Sequence, residues 1–144
     1  MDTRLTKLHS ALRRKAKSAV SELSFLEYVQ RAQETLLWEE DETQKDVLFR
    51  MVLGLMGELG EVSETLKKHY RGDNGAKQIT PELVDKITLE LGDVLWYMSN
   101  FLDVLVYDLP PSEYVTLEDV ARRNVEKLAK RKKANTLRGS GDNR

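Results

Sequence analysis

A chain of 144 residues with a net charge of −1 suits one domain built around a single core. The absence of cysteine excludes thiolate metal centres, disulfide frameworks and thiol nucleophiles. No apolar run approaches the roughly 18 to 20 residues of a membrane span, and no apolar signal core follows the basic start, so a cytoplasmic protein without a membrane partner is expected.

Leu5, Leu8, Leu12, Ala16, Ala19 and Leu23 recur at spacings of three and four, which predicts an amphipathic helix. Its other face carries Arg4, Lys7, Arg13, Arg14, Lys15 and Lys17. Residues 1–22 are read as a basic helical extension. Ser24 followed by Glu27 forms a capping-box pattern, so a second helix should begin near Phe25 and run through Tyr28, Val29, Ala32 and Leu36 to about Trp38. The acidic stretch Glu39 to Glu42 is a connector. Thr43 caps a long third helix expected to reach about His69.

The glycine-containing stretch Arg71 to Gln78 is a loop. Thr80 then Pro81 is a start signal, a capping hydroxyl followed by proline at the first helical position. This fourth helix should run to about Tyr107, before Pro110 and Pro111. Thr116 with Asp119 opens a fifth, bearing Leu117, Val120, Ala121, Val125 and Leu128. Residues 122–138 hold eight basic side chains against one acid, Glu126, and residues 139–144 form a small, polar, flexible tail. No segment alternates with period two. The chain reads as an all-α antiparallel bundle of about five helices, with its functional domain over residues 23–138.

The informative feature is where the acids fall. The apolar stripe of the third helix runs Leu48, Met51, Leu55, Glu58, Val62, Leu66, and that of the fourth Leu83, Ile87, Glu90, Val94, Tyr97, Phe101. Glu58 and Glu90 stand where a hydrophobe belongs, each with a companion acid one turn on, Glu61 and Asp93. A buried, unpaired carboxylate costs several kcal/mol, so two matched intrusions predict a shared site between facing helices. Gly54, Gly57, Gly60 and Gly92 lie among them, each about 0.5 to 1 kcal/mol worse than alanine inside a helix, consistent with close helix approach or room for a ligand. Lys67, Lys68 and Lys86 lie beyond one turn of the acids or off the stripe, so a divalent cation explains the cluster better than an ionic network. All-oxygen donors favour magnesium, with manganese or calcium next. A di-iron bundle needs Glu-x-x-His, but the residues three before His9 and His69 are Thr6 and Leu66.

Magnesium held by a few carboxylates completes its shell with water and substrate phosphates, which points to a phosphorylated ligand. Lys127 and Arg131, four residues apart with Asn124 a turn earlier, would suit an anion. No P-loop appears, nor a serine nucleophile arrangement, which leaves hydrolysis by metal-activated water.

Gly57-Glu-Leu-Gly-Glu61 followed by Glu90-Leu-Gly-Asp93-Val-Leu-Trp-Tyr97 resembles the paired E-x-x-E and E-x-x-D signature of the MazG-like, all-α nucleoside triphosphate pyrophosphohydrolases. That superfamily includes dCTP pyrophosphatases and dimeric dUTPases. The resemblance spans roughly residues 24 to 144 and takes in Tyr28, Ala32 and Thr35 as well as Asn124, Lys127 and Arg131. It implies Mg²⁺-dependent cleavage (Mn²⁺ as substitute) of a nucleoside or deoxynucleoside triphosphate to the monophosphate and pyrophosphate. It implies Glu58, Glu61, Glu90 and Asp93 as metal ligands and a homodimer or homotetramer that completes the core. Asn124, Lys127, Arg131 and Tyr97 are the expected substrate contacts. Many such motifs begin with two adjacent glutamates; here the first place is Gly57, which leaves the water-orienting base open. The competing reading is a non-catalytic helical module for a nucleotide or a protein partner. Nucleic-acid binding through the basic ends is opposed by the acidic middle.

Overall fold

The computed structural model describes residues 23–37, 39–72 and 78–136. The helix expected within residues 1–22 and the tail at 139–144 lie outside the described residues. Those described form four α-helices and no strand: α1 Phe25–Gln33, α2 Gln44–Arg71, α3 Pro81–Val106 and α4 Leu117–Lys133, with a 3₁₀ turn at Pro111–Glu113.

Local chemistry sets the helix starts. The Thr43 hydroxyl accepts from the Asp46 backbone N–H while Asp46 accepts from the Thr43 backbone, a complete capping box. Thr116 and Asp119 repeat it at α4, and the Thr80 hydroxyl accepts from Leu83 N–H at α3. Each such cap is worth about 1 kcal/mol. At α1 only half the box forms: Ser24 accepts from Glu27 N–H, but the Glu27 carboxylate turns to Arg31 instead. α2 stops at Gly72, whose φ of 85° is the left-handed C-cap conformation that glycine adopts without strain.

α1 ends at Gln33, five residues short of the expected Trp38. The cause is tertiary. The Thr35 hydroxyl donates to Ala32 C=O and accepts from Trp96 Nε1–H at 2.7 Å, and Arg50 donates to Leu37 C=O. These bonds take the backbone out of the helix while Leu36 still reaches the core.

α2 and α3 form an antiparallel hairpin whose register can be followed along its length. Gln44 Nε2 donates to Val104 C=O at 2.8 Å at one end. Val47, Met51 and Val104 are buried together, with Leu36, Leu48, Trp96, Tyr97 and Phe101 packed around them. Full burial of such side chains is worth about 1.5 to 3 kcal/mol each. Midway, a Cβ added at Gly54 would overlap the Tyr97 ring, so the glycine admits that ring. α1 lies along α3, held by Thr35 to Trp96 and by Gln33 Nε2 donating to Asp103 Oδ2 at 2.9 Å. α4 packs on α1 through Leu117, which lies with Phe25 and Val29. Arg50 grips Glu42 with Nε and one terminal nitrogen, 2.8 and 2.7 Å, and pins the connector to α2.

One surface of α2 has no neighbour among the described residues. Phe49, Leu53 and Met56 follow helical spacing on the side away from α3 and are 66%, 53% and 65% exposed. Val84, Leu91, Met98 and Leu105, seven residues apart along α3, are also exposed.

Candidate metal centre

The same hairpin register that pairs Gly54 with Tyr97 brings the next turns of the two helices together at Glu58, Glu90 and Asp93. One carboxylate oxygen from each lies within 4.8 Å of the others. Glu58 and Glu90, the mid-stripe acids, are half-buried, whereas the companions Glu61 and Asp93 are exposed. Glu61 stands outside the three-oxygen group but close enough to repel Glu58.

Burial pushes the Glu58 carboxyl above its ordinary range, and Asp93, Glu61 and Glu90 add repulsion in the same direction. The ion pairs seen among the described residues, those of Glu27, Glu42, Glu64 and Asp119, involve none of the four acids. Three oxygens converging on one point without a cation form a donor set that fits a hard divalent ion. Glu58, Glu90 and Asp93 could hold it, with Glu61 at the margin.

Tyr28 on α1 lies close enough to Asp93 to feel its charge. Burial and then the charge of Asp93 push its phenol up, while Ser99 beside it acts the other way. Its sequence signal was its place in the α1 stripe, four residues before the buried Ala32.

The other expected site residues stand apart from the acids. Tyr97 is half-buried over Gly54 and edge-on to Trp96, ring centroids 4.8 Å apart, as part of the apolar packing. Lys127 and Arg131 line a cleft built entirely from the end of α4 and the residues after it, with Arg131 buried, and that cleft contains none of the four acids. Asn124 is exposed on the same helix. Of the four central glycines, only Gly54 serves close approach; a Cβ at Gly57, Gly60 or Gly92 would meet nothing within 4 Å.

An all-helical hairpin that gathers carboxylates in its seam is a frame that could hold a metal ion, and sequence comparison narrows its class. The family description "MazG nucleotide pyrophosphohydrolase domain" matches residues 48–136, which include all four acids and the whole of α4. The chain belongs to the MazG nucleotide pyrophosphohydrolase family. It is also 39% identical over 94 residues to the Gene 37 protein of Mycobacterium phage L5, covering 65% of this chain and 74% of that protein. No solved structure matches it. Among the described residues no helix is long and apolar enough to cross a membrane.

Proposed function

We propose that the chain hydrolyses a nucleoside or deoxynucleoside triphosphate to the monophosphate and pyrophosphate, using Mg²⁺, for which Mn²⁺ can substitute. The observation that carries this reading is the gathering of Glu58, Glu90 and Asp93, one oxygen of each within 4.8 Å of the others. When bound, the ion would supply a Lewis acid for phosphate oxygens and lower the pKa of water. The chain's own part is to present oxygens from two rigid helices, with Glu58 and Glu90 half-buried so that their geometry is held by packing. Glu61, one turn beyond Glu58 and exposed, is the carboxylate free to accept a proton from water now that Gly57 stands where many such motifs carry their first acid. Residues 23–138 are the hydrolytic domain in this reading, in a cytoplasmic protein.

The face of Phe49, Leu53 and Met56, uncovered among the described residues, supports a homodimer or homotetramer. In such an assembly Lys127 and Arg131, which line a cleft that contains none of the four acids, would serve phosphates at the site of the other copy. The experiment is pyrophosphate release from a panel of ribo- and deoxyribonucleoside triphosphates with Mg²⁺, wild type beside Glu58→Ala. Release that the variant loses is the expected result. Nucleotide bound with Mg²⁺ and recovered uncleaved from the wild type would replace the hydrolase with the binding module.

A further inference from the structure

Two cavities adjoin where the end of α3 passes α1 and the start of α4. One, of about 400 Å³, reaches Gln33 and Leu36, and the other, of about 210 Å³, reaches Phe25 and Leu26; Asp103, Val106 and Tyr114 line both. Together they form a trough with chiefly apolar walls. Leu26 and Tyr114 stand 62% and 49% exposed along it, an apolar surface that the described residues leave uncovered. The trough is also acidic. Residues 101–121 carry Asp103, Asp108, Glu113, Glu118 and Asp119 and no lysine, arginine or histidine. Asp119 is engaged by the Thr116 cap and Arg122. Asp103 is half-buried and accepts from the neutral Gln33 amide, and Glu118 is exposed beside it on the trough. The ion pairs seen among the described residues involve neither of these two acids.

The chain carries a segment of complementary character. Residues 1–22 hold six lysines and arginines against Asp2 and Glu22, with the stripe Leu5, Leu8, Leu12, Ala16 and Ala19 at helical spacing. Arg4, Arg13 and Lys15 flank that stripe, within about 100° of its centre at 3.6 residues per turn. A lone amphipathic helix of this length is marginal in water and gains stability by burying its apolar face. The segment is also attached at the right place. It joins the described chain at Leu23, and Phe25, two residues on, lines the trough. As a helix, the stretch from Leu12 to Leu23 spans about 17 Å. A segment tethered this closely acts at roughly millimolar effective concentration, so modest contacts are enough to seat it.

We propose that residues 1–22 dock on this trough of their own chain, the leucine stripe against Phe25, Leu26 and Tyr114 and the flanking basic groups facing Asp103 and Glu118. The segment is then a strap that ties α1 to the end of α3 and the start of α4. Because α1 carries Tyr28, which feels the charge of Asp93, the strap holds that helix beside the acids. The docking stands whether or not the chain is a hydrolase.

The test uses the full chain, which has no cysteine, so that Ser18→Cys takes a single nitroxide label away from the stripe. Amide NMR should show the signals of Val106 and of residues 115–118 broadened by the nitroxide. Leu8→Lys/Leu12→Lys in the same labelled chain, which leaves the described helices untouched, should restore those signals, and Glu118→Lys should restore them in part. The broadening should also survive when the labelled chain is refolded together with a large excess of unlabelled, nitroxide-free chain. Loss of broadening under that dilution places the segment on a second copy and overturns the strap. Broadening that ignores both the leucine and the Glu118 substitutions overturns it as well. Sharp trough signals in the labelled chain do the same, and binding to phosphatidylserine vesicles would then assign the basic face to a membrane surface.

Discussion

The two halves of the α2/α3 seam share one backbone geometry and opposite chemistry. Toward Val104 the seam is filled by Val47 and Met51, both at 0% exposure; toward the α3 start the equivalent inward positions are Glu58 and Glu90, half-buried and mutually repelling. The apolar half stabilises the hairpin and fixes its register. The acidic half uses that register, because three carboxylate oxygens stay within 4.8 Å only while the packing holds them there. Stability and function are thus separated along one interface by about two helical turns.

Substitutions at matched positions break the comparison most sharply. Glu58→Ala should reduce Mg²⁺-dependent turnover at least about 100-fold, the upper range for loss of even an outer partner of a metal site. It should leave the metal-free fold as stable or more so, because it removes a carboxyl that burial and three neighbours disfavour when charged. Met51→Ala should do the reverse, costing about 2 to 5 kcal/mol in chemical denaturation while the folded fraction keeps its metal affinity. Equal loss of stability in both variants would erase the division.

A finer contrast lies between glycines one turn apart. Gly54→Ala should destabilise by about 1 to 3 kcal/mol because the Tyr97 ring has to move. Gly57→Ala, with open space beside it, should gain up to about 1 kcal/mol from helix propensity.

The smallest effect concerns pH. Burial raises the Asp103 carboxyl, an effect the Gln33 hydrogen bond only partly opposes. A raised folded value means the associated stability is whole below the unfolded carboxyl range, near about 3.9, and is lost as pH rises through the folded value. Asp103→Asn, which can still accept from Gln33, should flatten that decline in melting temperature. A profile that matches wild type would assign the decline elsewhere.

What was legible in the amino-acid sequence was whatever acts over three or four residues. Thr43 with Asp46, Thr80 with Pro81 and Thr116 with Asp119 set the starts of α2, α3 and α4 where their spacing predicts. Glu58 and Glu90 were visible because each breaks an apolar stripe. The end of α1 was not: Leu36 keeps perfect helical spacing, and only Trp96 and Arg50, 61 and 13 residues from the groups they bind, draw the chain away. Lys68 and Lys86 read only as too far along their helices to neutralise the acids; that both line one cavity follows from the antiparallel register. The separation of Lys127 and Arg131 from the acids likewise depends on where α4 docks.

The bond between Trp96 and Thr35 has a practical consequence. The indole is three residues past Asp93 on α3, its N–H is already committed at 2.7 Å, and one face meets Tyr97 edge-on. The molecule therefore carries an optical probe built into the wall of its own seam. With Trp38 replaced by phenylalanine, its emission wavelength and quenching would report a rearrangement that breaks the bond to Thr35, without a dye and at the concentrations at which turnover is measured.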